Sequence, residues 1–306
     1  MNTAELTLGP CLFNWSEDDW RDFYFRMADE ADLDLIYVGE AVCSKRLPFR
    51  NKILPEVLER LESAGKKVIL STLALVTTKP ERKALQEQCE QDLLTVEAND
   101  LTALAFLKNR PFVVGPYVNI YNEATIKSLT DRGATRFVLP PEVPAETAAE
   151  LIRHAPEPTY EIQVFGRLPL ALSARCYHAR LHHLSKDSCR FVCDQDPDGR
   201  AVNSLAGQPF LAVNGIQTMS YGVQLLLEEL STLAESGIGA FRLSPHTGDM
   251  VAVAKIFRAV MNTDMEPAEA RAKIAELMPE HSFVNGYIHG QPGMHQITEA
   301  LTLSAH

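Results

Sequence analysis

Short apolar runs rich in Val, Ile, Leu and Phe recur along the chain, and most are followed by a stretch with helical periodicity and a charged face. This alternation restricts the fold more than any other feature. Strands are predicted at 5–9 (ELTLG), 33–38 (LDLIYV), 67–71 (KVILS), 92–97 (DLLTVE), 111–115 (PFVVG), 136–139 (RFVL), 161–166 (EIQVFG) and 239–243 (GAFRL). Helices between them carry their own punctuation. Ser16 can cap "SEDDWRDFYFRMADEA", and "LPEVLERLESAG" ends at Gly65, where a C-terminal cap belongs. Strands that alternate with helices imply a parallel sheet, and eight such units in about 250 residues suit a closed barrel. The expected fold is therefore α/β, a distorted (β/α)8 TIM-like barrel, with a doubly wound sheet as the competing arrangement. Two spacings are irregular: the fourth and fifth strands lie too close for a normal helix between them, and 167–238 is too long, which predicts an insertion after the seventh strand. With no linker, repeat or low-complexity tract, 1–306 reads as a single domain.

That long segment opens with "CYHARLHHLSKDSCRFVC", residues 176–193, which holds three of the six cysteines. A chain of 306 residues with 46% hydrophobic content can bury a full core without a disulfide staple. The start, "MNTAELTLGP", has no basic region or apolar core of a signal peptide, and "VILSTLALV" is too short to cross a bilayer, so a cytoplasmic location is expected. In a reducing compartment, close cysteines are more often metal-binding or catalytic than bridged. A net charge of -11 offers no overall attraction to nucleic acid or anionic lipid.

Barrel enzymes build their sites at the carboxyl ends of the strands. Cys43 follows the second predicted strand, while Cys176, Cys189 and Cys193 follow the seventh, so four thiols are expected on one face. The C-x12-C-x3-C spacing is not the paired-knuckle pattern of a zinc ribbon. Soft thiolates, one of them from a distant segment, suit a [4Fe–4S] cluster, but a zinc site and unligated thiols remain open at this point. His178, His182 and His183 crowd the same segment and could replace a thiol as ligand, although a solvated helix is the plainer reading. Cys11 borders the same face and rivals Cys43, with apolar packing favoured; Cys89, four residues after Leu85, reads as packing on a helix.

The runs "EIQVFGRLPLALSARCYHARLHHLSKDSCRFVC", "VGEAVCSKR" and "FRLSPH" together resemble the collagenase-like peptidase family, U32, in its ubiquinone-biosynthesis branch, over nearly the whole chain. The specific parts are "GRLPLALSARC" and the thiol spacing. The resemblance implies a [4Fe–4S] cluster held by Cys43, Cys176, Cys189 and Cys193. It also implies a heterodimer with a UbiU-like protein and a part in oxygen-independent hydroxylation of the ubiquinone ring, with a ubiquinone precursor lipid as a further partner. A non-catalytic cluster-bearing subunit and a peptidase or RNA-modifying relative are the alternatives.

Peptidase activity is not expected, since the chain has no G-x-S-x-G, no H-E-x-x-H and no P-loop. "DQDPDG" at 194–199 begins like a calcium loop, but its twelfth position is Leu205 where a bidentate Glu is required, so it reads as a polar turn. "GIGAF" lacks the third glycine of a dinucleotide fingerprint and precedes a strand. Glu40, Lys45, Arg46, Arg167, Arg242 and His246 lie at strand ends and either line a pocket or form salt bridges at the barrel mouth.

Overall fold

The computed structural model describes residues 4–108 and 110–303. Its strands are β1 (Glu5–Leu8), β2 (Leu35–Gly39), β3 (Lys67–Ser71), β4 (Thr95–Ala98), β5 (Phe112–Val114), β6 (Ala134–Val138), β7 (Thr159–Leu172), β8 (Arg200–Asn203), β9 (Pro209–Asn214), β10 (Gln217–Leu225), β11 (Ala240–Leu243) and β12 (Phe283–Val284). Its helices are α1 (Glu17–Glu30), α2 (Leu47–Ser63), α3 (Lys79–Glu90), α4 (Glu123–Thr130), α5 (Ala145–His154), α6 (Tyr177–Leu181), α7 (Leu230–Glu235), α8 (Met250–Met261) and α9 (Pro267–Leu277).

Strands β1 to β7 pair in parallel and in sequence, and β11 lies parallel between β7 and β1, which closes an eight-stranded barrel. All eight predicted strands are its staves. Because side chains alternate along a strand, each stave feeds two cores. Leu6, Leu8, Ile36 and Val38 point outward and pack under Trp20, Tyr24 and Val57 of the helical layer. Leu35, Tyr37, Ile69, Val113 and Val138 form a separate apolar cluster from the alternate positions, inside the barrel. The capping reading of α1 holds: Ser16 Oγ accepts from Asp19 N at 3.0 Å. Gly65, at φ +72, follows the end of α2.

Both irregular spacings have a structural cause. Between β4 and β5 a 3-10 turn at Leu101–Ala105 replaces the usual helix, and it needs fewer residues to cross back. The seventh strand extends well past the predicted 161–166: Thr159 to Phe165 belong to the barrel, and the remainder pairs antiparallel with β10. Gly166 sits at the departure point, φ +106, where a Cβ would come 2.6 Å from Ser244 Cβ, so only glycine lets β7 leave beside β11. Antiparallel β8, β9 and β10 continue this excursion, and β12 pairs with β10 from the far side. Helix α7 then buries Leu230 and Leu233 in the outer core and leads into β11. Among the described residues, no helix is long and apolar enough to cross a membrane.

Candidate metal centre

The excursion folds back over the end of β2, and there the four predicted cysteines meet. Cys43, Cys176, Cys189 and Cys193 line one pocket with Lys45, Arg46, Phe191 and Gly215. Each thiol is set in place differently. Cys43 lies in the turn between β2 and α2, where Glu40 Oε1 accepts from the backbone N–H groups of Val42 and Cys43, both at 2.9 Å. Cys176 precedes α6; its thiol donates to Gly215 O at 3.2 Å and its sulfur accepts from Ala179 N at 3.4 Å. Between Cys189 and Cys193, Arg190 and Phe191 adopt φ of 51° and 57°, two left-handed residues in succession. Such backbone costs about 1–3 kcal/mol per residue and persists only where its surroundings enforce it. Here Asn14 Nδ2 donates to Phe191 O at 3.3 Å and Phe49 packs edge-on against the Phe191 ring.

Beneath the thiols lies a buried cation. Arg46 is 1% exposed. It donates to Leu12 O at 3.1 Å, to Asn214 Oδ1 at 2.7 Å and to Cys193 Sγ at 3.5 Å, and it faces Glu40 at 3.7 Å. Gly215, φ +67, leaves room for that guanidinium, since a Cβ there would come 2.7 Å from Arg46 Nη2. Burial alone would lower the Arg46 pKa, but Glu40, Cys193 and Cys43 together raise it. Burial pushes the Cys43 thiol up while Arg46 pulls it down, and burial likewise pushes Cys176 up. Arg50, also buried, reaches the same carboxylate at 3.9 Å. Two arginines thus share one glutamate.

A single zinc holds thiolates about 2.3 Å away and so about 3.8 Å from one another. Among the described residues, the one group of three or more His, Cys, Asp or Glu donors within 4.8 Å of one another is His178, His182 and Asp196, so no three of these sulfurs converge that closely. Four soft sulfur donors around one pocket match the ligand preference of an iron–sulfur cluster. The residues present fit a [4Fe–4S] cluster.

A pattern of peptidase family U32 matches residues 20–298. The chain belongs to this family. Solved structures with similar shape include N-acetylneuraminate lyase from Mycoplasma synoviae, at 10% identity and TM-score 0.44, covering 90% of this chain and 80% of that one. Two structures of dihydropteroate synthase from Thermus thermophilus reach 12% and 13% identity, with TM-scores of 0.41 and 0.43. They cover 88% and 85% of this chain and 94% and 92% of theirs. At such values the barrel rests on this chain's own strand pairing.

The other predicted residues of this U32 chain fall into four places. Cys11 and Cys89 pack in the outer core and do not line the pocket, although Cys11 lies near enough to Arg50, Glu40 and Arg46 to feel their charge, and burial pushes both thiols up to about 12. Of the histidines, His178 and His182 stack in parallel and His178 Nε2 lies 3.0 Å from Asp196 Oδ2, while His183 is exposed. His178 also lines the cysteine pocket, while Arg200 Nη1 lies 3.4 Å from His182 Nε2 and brings positive charge where a cation would bind, so this trio braces the loop. The "DQDPDG" turn is a packing hub: Asp198 holds His246 at 3.0 Å, its carbonyl accepts from Arg167 at 2.7 Å, and Pro197 O accepts from Trp15 Nε1 at 2.8 Å. Arg242 lines a second pocket at the barrel mouth with Glu97, Tyr117, Gln163 and Leu12. Leu12 and Tyr117 also pack against the cysteine cluster, so one layer of side chains separates the two pockets.

Asn214 and Gly215 were not singled out from sequence, yet they seat Arg46. Their signal is "FLAVNGIQTMSY", an Asn-Gly between apolar runs, the usual mark of a tight hairpin, here joining β9 to β10.

Proposed function

We propose that this chain is a [4Fe–4S] protein of the UbiV type, acting with a UbiU-like partner in oxygen-independent hydroxylation of the ubiquinone ring. The observation that supports it is the convergence of Cys43 with Cys176, Cys189 and Cys193, from segments more than a hundred residues apart, in one pocket over a surplus buried cation. Thiolates are anions. A pocket lined by the buried guanidinium of Arg46, with Arg50 and Glu40 behind it, is suited to hold them, because a buried charge without a counter-charge is strongly unfavourable.

The cluster would supply one-electron chemistry. The chain's own residues do the rest: the four cysteines hold the group, Glu40 orients Cys43 through its backbone, and Phe191, Val192 and Ala179 exclude water from one side. Phe49, Tyr177 and Leu181 stand 40%, 48% and 50% exposed beside this site. A partner that covers them would close the other side, with a stable pair burying about 1,200 Å² or more in total.

Protein purified without oxygen is expected to carry about four irons and four acid-labile sulfides per chain, with broad visible absorption that bleaches in air. Stoichiometric zinc without sulfide would overturn the cluster. A deletion strain should lose ubiquinone during anaerobic growth alone, and Cys176→Ala should copy it. Unchanged anaerobic ubiquinone would point instead to a peptidase or RNA-modifying role. A second reading, a non-catalytic cluster-bearing subunit, draws on the layer of side chains between the thiols and the barrel mouth. Ubiquinone-ring hydroxylation that survives substitution of the barrel-mouth residues would favour it.

A further inference from the structure

We propose that Arg46 is the fixed counter-cation of the cysteine site and sets the reduction potential of the group held there; this rests on the cluster reading above. Arg46 is fully enclosed, so its charge is screened little by salt or water. Its position is over-determined. Leu12 O and Glu40 hold Nη1, while Nη2 donates both to Asn214 Oδ1 and to Cys193 Sγ, the latter at 3.5 Å. Asn214 is itself held by Nδ2 donating to Cys193 O and Asp196 O, at 2.9 and 2.8 Å, so the cation and the loop bearing Cys193 share one brace. The local charge is also incomplete without an anion. Glu40 lies opposite both Arg46 and Arg50, and Arg50 is engaged elsewhere as well, donating to Trp15 O at 2.9 Å and lying over the Trp20 ring.

Reduction by one electron from an external donor adds one negative charge to a group that four thiolates already make anionic. A permanent positive charge on the sulfur of one ligand therefore stabilises the reduced form more than the oxidised form. Glu40 acts in the opposite sense. A purely structural role for Arg46 predicts changes in loading or stability, but no matched pair of shifts of opposite sign.

The test is a dithionite titration with redox mediators on anaerobically purified full-length protein, read by electron paramagnetic resonance and by visible absorption. Arg46→Gln should move the midpoint to more negative potential, Glu40→Gln should move it to more positive potential, and Arg46→Lys should stay near wild type. Gln at position 40 keeps an oxygen for the N–H groups of Val42 and Cys43. Loaded variants with unchanged midpoints would overturn the role of Arg46 and leave the cluster standing. If Arg46→Gln fails to load, Arg46→Met, which keeps much of the side chain's bulk without its charge, takes its place, and an unchanged midpoint there overturns the proposal. Wild-type protein without iron and sulfide would overturn the cluster reading and this inference with it, and analysis before any titration separates that result from the others.

Discussion

Two buried arginines organise this molecule, and their surroundings differ. Inside the barrel, Arg242 lies between two carboxylates, with Nη2 2.8 Å from Glu97 and Nε 2.6 Å from Glu161, over the Tyr37 ring. Glu161 also accepts from Thr7 at 2.8 Å, Tyr37 at 2.7 Å and Arg136 at 3.0 Å, so residues of β1, β2, β6 and β11 are tied to one carboxylate on β7. Under the cysteines, Arg46 shares its one carboxylate with Arg50 and turns a nitrogen to sulfur. In the first network each guanidinium meets a carboxylate, and the network ties the barrel strands together. The second pairs two guanidiniums with the single carboxylate of Glu40 and sets one of them against a sulfur.

On the proposed cluster, the widest separation expected between the two regions is in metal content. Cys43→Ala and Cys176→Ala should each lose nearly all iron and sulfide, because a missing thiolate exposes a corner of the cluster, while Cys11→Ala, in the outer core, should keep both. Iron lost from Cys11→Ala and kept by Cys43→Ala would break the comparison at its base.

On the barrel side the effect is in stability. Glu161→Gln leaves Arg136 and Arg242 short of a buried counter-charge and should cost about 3–5 kcal/mol in denaturant unfolding, with iron per folded chain unchanged. A loss under about 1 kcal/mol would show that the network is not a closure device.

Acid should sharpen the same contrast. Burial alone would raise the Glu161 pKa, but Arg242 and Arg136 outweigh it and hold the carboxyl below its ordinary value of 4.5. A depressed carboxylate contributes stability that is fully present above its unfolded value and lost as pH falls through the folded one. Unfolding midpoints should therefore be flat above about pH 5 and fall below it, and Glu161→Gln should flatten the fall. Equal slopes in the two proteins would remove Glu161 from the acid response. The smallest change lies outside both networks: Ser16→Ala, at the cap of α1, should cost about 1 kcal/mol and leave iron content and acid slope as in wild type.

Periodicity alone placed all eight staves, because a strand buried on both faces reads as a continuous apolar run and a helix over it reads as an amphipathic one. It also put the four cysteines after two strands of one sheet, hence at one end of one barrel. What it missed was the reach of β7 to Leu172, past Gly166 and Pro169, residue types that weaken a strand interior; the structure uses the glycine to turn the strand out of the barrel. Arg46 and Arg242 stood alike in the sequence as charges at strand ends. Only tertiary contact separated them. Whether a buried cation is already neutralised depends on which carboxylates distant segments bring to it: Glu97 and Glu161 at Arg242, a shared Glu40 and four thiols at Arg46. Local sequence fixes secondary structure through backbone and side-chain preferences that act over a few residues, whereas charge balance in a dry interior is a property of groups brought together across the whole chain.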